Sequence, residues 1–322
     1  LATNAETLSL NSVKKYPDIS EFKQLHYSSK FRVGDQLARN EENIETAEHE
    51  YRDAVNLAKE LATSEPDNVK RQQQLIFALN KVGDMRQARR DWPGALEQYN
   101  EGLRIARSIA VTNPSAVATQ KNRIAQVFSA RNQPGDKQEA LDEYREALKL
   151  QEQELFGNPS DATLISNIAL THRRIGDLLR DEKPDEAQRE FEAAVDARRR
   201  LYRRDPGNAN WRIGLAMDNI RLGDVLTQTK QNWAGLRNYN EAVQIIEAII
   251  LNDPTPTRWE RRLAALNVKR GDVLFDQGEL RLKNPEQPDT ASSRFMANAV
   301  ARNRETALES DGTRTPPRIL LG

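Results

Sequence analysis

The chain has 322 residues, of which 30% are charged and 38% are hydrophobic, a polar composition that still supports a folded core. Lysine plus arginine and aspartate plus glutamate number 48 each, so no net charge favours nucleic acid or anionic lipid. The chain has no cysteine, which excludes disulfides, thiolate metal sites and a cysteine nucleophile. We expect a cytoplasmic protein, with the periplasm left open, that binds neither nucleic acid nor membrane.

The first predicted element, residues 1–16, is a partial helix of a preceding repeat or an N-terminal cap. The chain begins with Leu1 rather than Met, and we expect it to be a piece of a longer array. Prolines then recur at intervals of 45 to 49 residues, mostly after Asn, Asp or Glu, which end one helix and start the next. A constant period of this size is typical of stacked helical units. The prolines are Pro17, Pro66, Pro114, Pro159, Pro206 and Pro254.

A basic residue followed two positions later by Gly-Asp marks the first half of five periods. In each of them the Gly lies 17 residues after the proline. We call this set the Gly-Asp column, with the cations Arg32, Lys81, Arg174, Arg221 and Lys269 and the acids Asp35, Asp84, Asp177, Asp224 and Asp272. The third period departs from it, since its nearest match, Arg123-Ile124-Ala125-Gln126, places Ala125 only 11 residues after Pro114.

A small residue, an aromatic four positions on and a small residue three further mark the second half of each period. These offsets place all three on one helical face. The copies are Ala47/Tyr51/Ala54, Ala95/Tyr99/Gly102, Ala140/Tyr144/Ala147, Ala187/Phe191/Ala194 and Gly235/Tyr239/Ala242. Each period is therefore predicted to be a hairpin of two helices, A and B, whose small residues let the backbones approach while the aromatic fills the space between them.

In this order of landmarks the chain resembles the tetratricopeptide repeat (TPR) family. The usual TPR unit has about 34 residues, and the longer period here is similar to the long-helix arrays attached to bacterial signalling enzymes. The resemblance implies an all-α fold, a right-handed superhelical solenoid of about six antiparallel hairpins over residues 17–311. Such an array is expected to act as one solenoid in which each repeat contacts its neighbours.

The predicted repeats span residues 17–66, 67–114, 115–159, 160–206, 207–254 and 255–311. The sixth is degenerate, with Ala291 and Phe295 followed by Asn298, and its insertion between Gly278 and Thr290 is predicted to be a loop. Residues 312–322 are predicted to be a flexible tail.

Sequence patterns for catalysis are missing. The histidines, His26, His49 and His172, have no His partner at metal-ligand spacing, and the chain has neither a Gly-x-Ser-x-Gly elbow nor a phosphate-binding Gly-rich loop. We therefore predict no enzyme, no cofactor and no metal site.

The Gly-Asp column has two interpretations. Each basic residue lies three positions before its Asp, so the two could pair within one helix and stabilise it by about 0.2–0.5 kcal/mol. Alternatively, family geometry places helix A along the concave groove, where the five Asp residues of the column would form an acidic ladder that favours a partner with Lys or Arg at repeat spacing. All ten residues of the column are then candidates for binding a protein or peptide partner.

The predicted function is a protein–protein interaction scaffold that binds a polypeptide partner in the concave groove. The alternative is a sensor or regulatory arm of a larger bacterial signalling enzyme, such as a kinase, protease or ATPase. In that case the array would contact a fused effector domain within the same polypeptide.

Overall fold

The structure is a computed structural model that describes residues 2–111, 113–251 and 257–283. Pro254, the degenerate sixth helix B around Ala291 and Phe295, and the predicted tail 312–322 lie outside these residues. The predicted insertion after Gly278 is helical as far as Lys283, and the rest of it also lies outside the described part of the chain.

Helices account for nearly all of the described residues, and no strand occurs among them. A single helix, α1 (Ala2–Lys15), comes first. Five hairpins follow, and the helix A of a sixth ends the described part. They are α2 (Ser20–Leu37) with α3 (Ile44–Ser64), α4 (Val69–Ala88) with α5 (Trp92–Ser108), α6 (Pro114–Arg131) with α7 (Asp136–Gly157), α8 (Ala162–Leu179) with α9 (Pro184–Arg204), α10 (Ala209–Gln228) with α11 (Asn232–Ile250), and α12 (Thr257–Lys283).

Side chains in the Pro-containing connections cap the helices that follow them. Asn68 Oδ1 accepts hydrogen bonds from the backbone N–H groups of Lys70 and Arg71, at 3.1 and 3.4 Å. Asn208 Oδ1 accepts one from the N–H of Trp211 at 3.2 Å. Such caps satisfy amide groups that have no partner inside the helix, which explains why helix A begins shortly after the proline.

The predicted small–aromatic–small face of helix B is the core of each hairpin. Tyr51, Tyr99 and Phe191 are fully buried, and Tyr144 and Tyr239 are 2% exposed. The neighbouring alanines, such as Ala47 and Ala54, are equally inaccessible. Burial of each large aromatic contributes on the order of 2 kcal/mol, so this repeated face stabilises the hairpins.

The glycine of the Gly-Asp column is explained by the aromatic ring that packs on it. A Cβ atom at Gly83 would lie 2.5 Å from the ring of Tyr99, and one at Gly176 would lie 2.7 Å from the ring of Phe191. Real Cβ atoms do not approach rings this closely, and the rings are fixed in the core. In these hairpins glycine is thus the residue that lets helix A and helix B approach this closely.

By internal packing the chain divides into two units between Leu164 and Ile165, within α8. In the first unit a continuous core runs from Tyr27 of α2 to Val127 of α6. In the second unit, α9 and α11 each pack against α10, and α12 packs against α11. In the part of the chain that the structure describes, no helix is both long and apolar enough to cross a membrane.

Candidate functional site

The Gly-Asp column joins successive hairpins. Lys81 Nζ of α4 lies 2.8 Å from Asp35 Oδ1 of α2. In the second unit Arg221 Nε lies 3.2 Å from Asp177 Oδ1, and Lys269 Nζ lies 2.6 Å from Asp224 Oδ1. The cation of one helix A therefore binds the carboxylate of the preceding helix A.

The prediction that each basic residue pairs with the Asp of its own helix is wrong for Lys81, Arg221 and Lys269. Their partners lie about one period earlier in the chain, at Asp35, Asp177 and Asp224. The physical reason is that the aligned A helices of one unit present the cation and the carboxylate at the same height. The ion pair between two hairpins also gives each partly buried cation and carboxylate a partner of opposite charge.

The third hairpin keeps the cation although it lacks Gly-Asp. Arg123 of α6 pairs with Asp84 of α4 as Lys81 pairs with Asp35. Ala125, at the glycine position, is fully buried. The structure thus supports the alignment of Arg123-Ile124-Ala125-Gln126 with the column.

A tyrosine hydroxyl of helix B is the second group that binds these carboxylates. The hydroxyl of Tyr51 donates to Asp35 at 2.7 Å, that of Tyr99 to Asp84 at 2.7 Å, and that of Tyr239 to Asp224 at 2.8 Å. Burial alone would raise the pKa of Asp35, but the hydrogen bonds from Lys81 and Tyr51 outweigh it and hold that pKa below its usual value. The Asp is therefore engaged within its hairpin and by the next one.

The fourth hairpin lacks the hydroxyl because Phe191 replaces tyrosine. Asp177 is paired with Arg221, and no side chain of helix B donates to it among the described residues. Burial raises the pKa of Asp177 above its usual value, against the pull of Arg221 and nearby arginines. Asp272 of α12 is exposed and forms no ion pair with the described residues.

A cavity of about 640 Å³ opens between α2 and α4, on the surface that carries the start of the column. We call it the α2–α4 site, and its lining residues are Tyr27, Ser28, Phe31, Arg32, Asp35, Gln36, Arg39 and Phe77. Two of the predicted partner-binding residues, Arg32 and Asp35, belong to it. A second hollow of about 310 Å³ shares Ser28 and Arg32 with it, which extends the groove toward Leu8 and Leu25.

Aromatic rings form the floor of the α2–α4 site. The rings of Phe31 and Phe77 stack at a centroid distance of 4.9 Å and an interplanar angle of 17°. Phe77 is 51% exposed, whereas Tyr27 and Phe31 are buried beneath the groove. Lys81 Nζ lies 5.7 Å from the centroid of each stacked ring, a cation–π arrangement.

The charged side chains around these rings differ in whether they form an ion pair. Asp35 already accepts hydrogen bonds from Lys81 and Tyr51. Arg32 and Arg39 are exposed and form no ion pair with any described residue. The cations around the rings thus outnumber the one carboxylate, and the net charge of the rim is positive.

Phe77 and Arg39 were not predicted from the sequence, because the predicted residues were those of the repeated landmarks. Phe77 is specific to the second hairpin, so no periodic pattern revealed it. The spacing of Tyr27 and Phe31, four residues apart on α2, was a signal for an aromatic stripe on one face.

The histidines occupy three different environments. His26 is buried and its Nδ1 lies 3.0 Å from Ser9 Oγ, while His172 Nδ1 lies 2.7 Å from Glu190 Oε2. His49 is exposed beside Glu50 and Asp53. Lys30 already binds both of these carboxylates, each at 3.0 Å, so this group is an ion-pair network.

Comparison with known proteins identifies the fold. No family model matches the chain, and no curated protein matches it. Among solved structures, the chain is similar to BtubC (BKLC) from P. vanneervenii, with 17% identity over 87% of this chain and 96% of that one and a TM-score of 0.59. It is also similar to the apo form of RapI, with 14% identity over 87% and 99% of the chains and a TM-score of 0.50. At this identity the likeness shows the fold, a TPR-like helical repeat array.

Proposed function

We propose that this chain is a non-enzymatic protein-interaction scaffold that binds a polypeptide at the α2–α4 site, between the A helices of its first two hairpins. The observation that carries the proposal is the solvent-exposed stack of Phe77 on Phe31 at the floor of a cavity of about 640 Å³. Exposure of an aromatic ring to water is unfavourable, so its burial by a partner contributes favourably to the free energy of binding. Aromatic side chains in concave sites are frequent anchors of protein interfaces.

The Gly-Asp column supports this function by fixing the floor of the site. Lys81 connects the two helices through its ion pair with Asp35 and also lies over the rings of Phe31 and Phe77. A second connection runs from the Tyr27 hydroxyl to the carbonyl oxygen of Gln74, at 3.3 Å. A surface that is already ordered loses little entropy when a partner binds.

The other members of the column are assigned a mainly structural role in this proposal. Asp84, Asp177 and Asp224 are each engaged by the following hairpin, so they offer little free negative charge. We assign ligand contact at the α2–α4 site to Arg32 and Asp35, which line the cavity, and to Lys81, which lies over its rings.

The test is a selection of random 12-residue peptides displayed on phage, with the full chain immobilised. We expect enriched peptides that bind the wild-type chain and lose at least tenfold in affinity on Phe77→Ala. The matched control is Phe156→Ala, which removes a ring that is 91% exposed on α7, away from the site. Equal loss with both variants, or the absence of any enriched peptide, would contradict the proposal.

A further inference from the structure

The charge of the α2–α4 site differs from that expected of an acidic ladder. Three cations, Arg32, Arg39 and Lys81, surround or overlie the aromatic floor. The carboxylate among them, Asp35, is 2.8 Å from Lys81 Nζ and 2.7 Å from the Tyr51 hydroxyl. Three cations thus face one carboxylate, and the site carries an excess of positive charge for a ligand.

We propose that the α2–α4 site selects an acidic peptide, with an apolar side chain seated on Phe31 and Phe77 and carboxylates beside it that pair with Arg32 and Arg39. This inference rests on the proposed function and specifies the chemistry of its partner. Guanidinium groups bind carboxylates in a bidentate geometry, which gives direction as well as attraction. The ring floor favours an apolar group beside these charged contacts.

A basic peptide meets two obstacles at this site. Its lysine or arginine side chains would approach Arg32 and Arg39, neither of which forms an ion pair with a described carboxylate. Near Asp35 they would also meet the positive charge of Lys81, which is paired with that carboxylate and lies over the rings of Phe31, Tyr51 and Phe77. Charge complementarity therefore favours acidic residues.

The shape of the groove points to a segment of several residues. The main cavity and the hollow toward Leu8 and Leu25 meet at Ser28 and Arg32. Leu8 and Leu25 are 68% and 58% exposed, so the second hollow offers further apolar surface. A peptide can thus place one anchor on Phe77 and run past Arg32 toward these leucines.

The experiment measures fluorescence anisotropy with three synthetic peptides of one sequence. Each carries phenylalanine at the centre and leucine four positions away, and they differ only in having Glu, Gln or Lys at the four positions flanking the phenylalanine. The full-length chain is compared with Arg32→Glu/Arg39→Glu. A second double variant, Lys59→Glu/Lys149→Glu, makes the same change in net charge on the exposed surfaces of α3 and α7.

We expect the Glu peptide to bind at least tenfold more tightly than the Lys peptide. The order should reverse in Arg32→Glu/Arg39→Glu and persist in Lys59→Glu/Lys149→Glu. If the peptides bind with equal affinity and still depend on Phe77, the inference is overturned while the proposed function stands. Tighter binding of the Lys peptide to the wild-type chain also overturns the inference alone. If none binds and the phage selection yields no Phe77-dependent peptide, both are overturned.

Discussion

In the first hairpin, Tyr51 packs its ring on Gly34 and donates its hydroxyl to Asp35. In the fourth, Phe191 packs on Gly176 in the same way, and Asp177 receives no such hydrogen bond. Both carboxylates still pair with a cation of the next hairpin, Lys81 or Arg221. The pKa of Asp35 is lowered, whereas that of Asp177 is raised.

This difference separates two tasks that a single tyrosine performs. The ring sets the distance between helix A and helix B, and for that phenylalanine is sufficient. The hydroxyl donates a hydrogen bond that, together with Lys81, favours the charged form of Asp35. At Asp177, which has no such donor and is more buried than Asp35, burial outweighs the attraction of the arginines. Substitutions at the two hairpins can test each task independently.

The largest effect should come from adding a methyl group beneath the ring. Gly34→Ala and Gly176→Ala are each expected to lower the free energy of unfolding by about 2 kcal/mol, because the new Cβ would lie 2.7 Å from a fixed ring atom. Urea denaturation of both variants measures this. Gly157→Ala, at a helix end with no atom within 4 Å of the added Cβ, should be neutral. Unequal losses of stability in Gly34→Ala and Gly176→Ala would contradict the proposal that the rings of Tyr51 and Phe191 play the same packing role.

Removal of the hydroxyl from the first hairpin should have a smaller effect. Tyr51→Phe is expected to cost about 1 kcal/mol, because a hydrogen bond to a charged group is lost while the ring remains. Tyr16→Phe is the matched control, since Tyr16 is 44% exposed and donates no hydrogen bond to the described residues. If both substitutions leave the urea midpoint unchanged, the hydroxyl of Tyr51 does not stabilise Asp35.

The reverse substitution, which adds a hydroxyl to the fourth hairpin, should increase stability slightly. Phe191→Tyr is expected to add less than about 1 kcal/mol of stability, since the equivalent hydroxyls of Tyr51, Tyr99 and Tyr239 all reach their Asp at 2.7–2.8 Å. Thermal denaturation monitored by circular dichroism would detect the gain. A loss of stability would show that the ring of Phe191 is oriented differently from the tyrosines.

The smallest effects concern pH, and the two hairpins should differ in sign. The lowered pKa of Asp35 contributes stability above the unfolded-state value of about 3.9, and this is lost as pH falls through the folded-state value. The raised pKa of Asp177 contributes stability below about pH 3.9, which is lost as pH rises through its folded-state value.

Comparison of the wild-type chain with Asp35→Asn and Asp177→Asn between about pH 3 and about pH 6 isolates these contributions. The stability advantage of wild type over Asp35→Asn should grow as pH rises, and its advantage over Asp177→Asn should shrink. In a Phe191→Tyr background the second trend should weaken. The same trend for both carboxylates would refute the role assigned to the hydroxyl.

The sequence predicted much of the fold because the landmarks are determined by local geometry. The spacing of Ala47, Tyr51 and Ala54 indicates one helical face, and the structure buries all three. The pairing of Lys81 with Asp35 could not be predicted in this way, because the two residues are 46 positions apart in sequence. Their contact depends on how one hairpin stacks on the next.

The candidate site was predicted only in part for a related reason. Arg32 and Asp35 belong to the repeated pattern and were therefore among the predicted residues. Phe77 and Arg39 are not repeated, and only the packing of α2 beside α4 shows that they line the same cavity. The stack of Phe31 on Phe77 joins two hairpins. A periodic sequence identifies what all repeats share, whereas the candidate site depends on residues in which one repeat differs.

The most direct test of the proposed function is hydrogen exchange of the full chain, followed by mass spectrometry, with and without the best-binding peptide from the phage selection. The account predicts slower exchange in α2 and α4 around Tyr27, Phe31 and Phe77, with α3 and α5 unchanged. Slower exchange confined to the B helices, or to α8–α12, would contradict the assignment of the α2–α4 site as the surface that binds the partner.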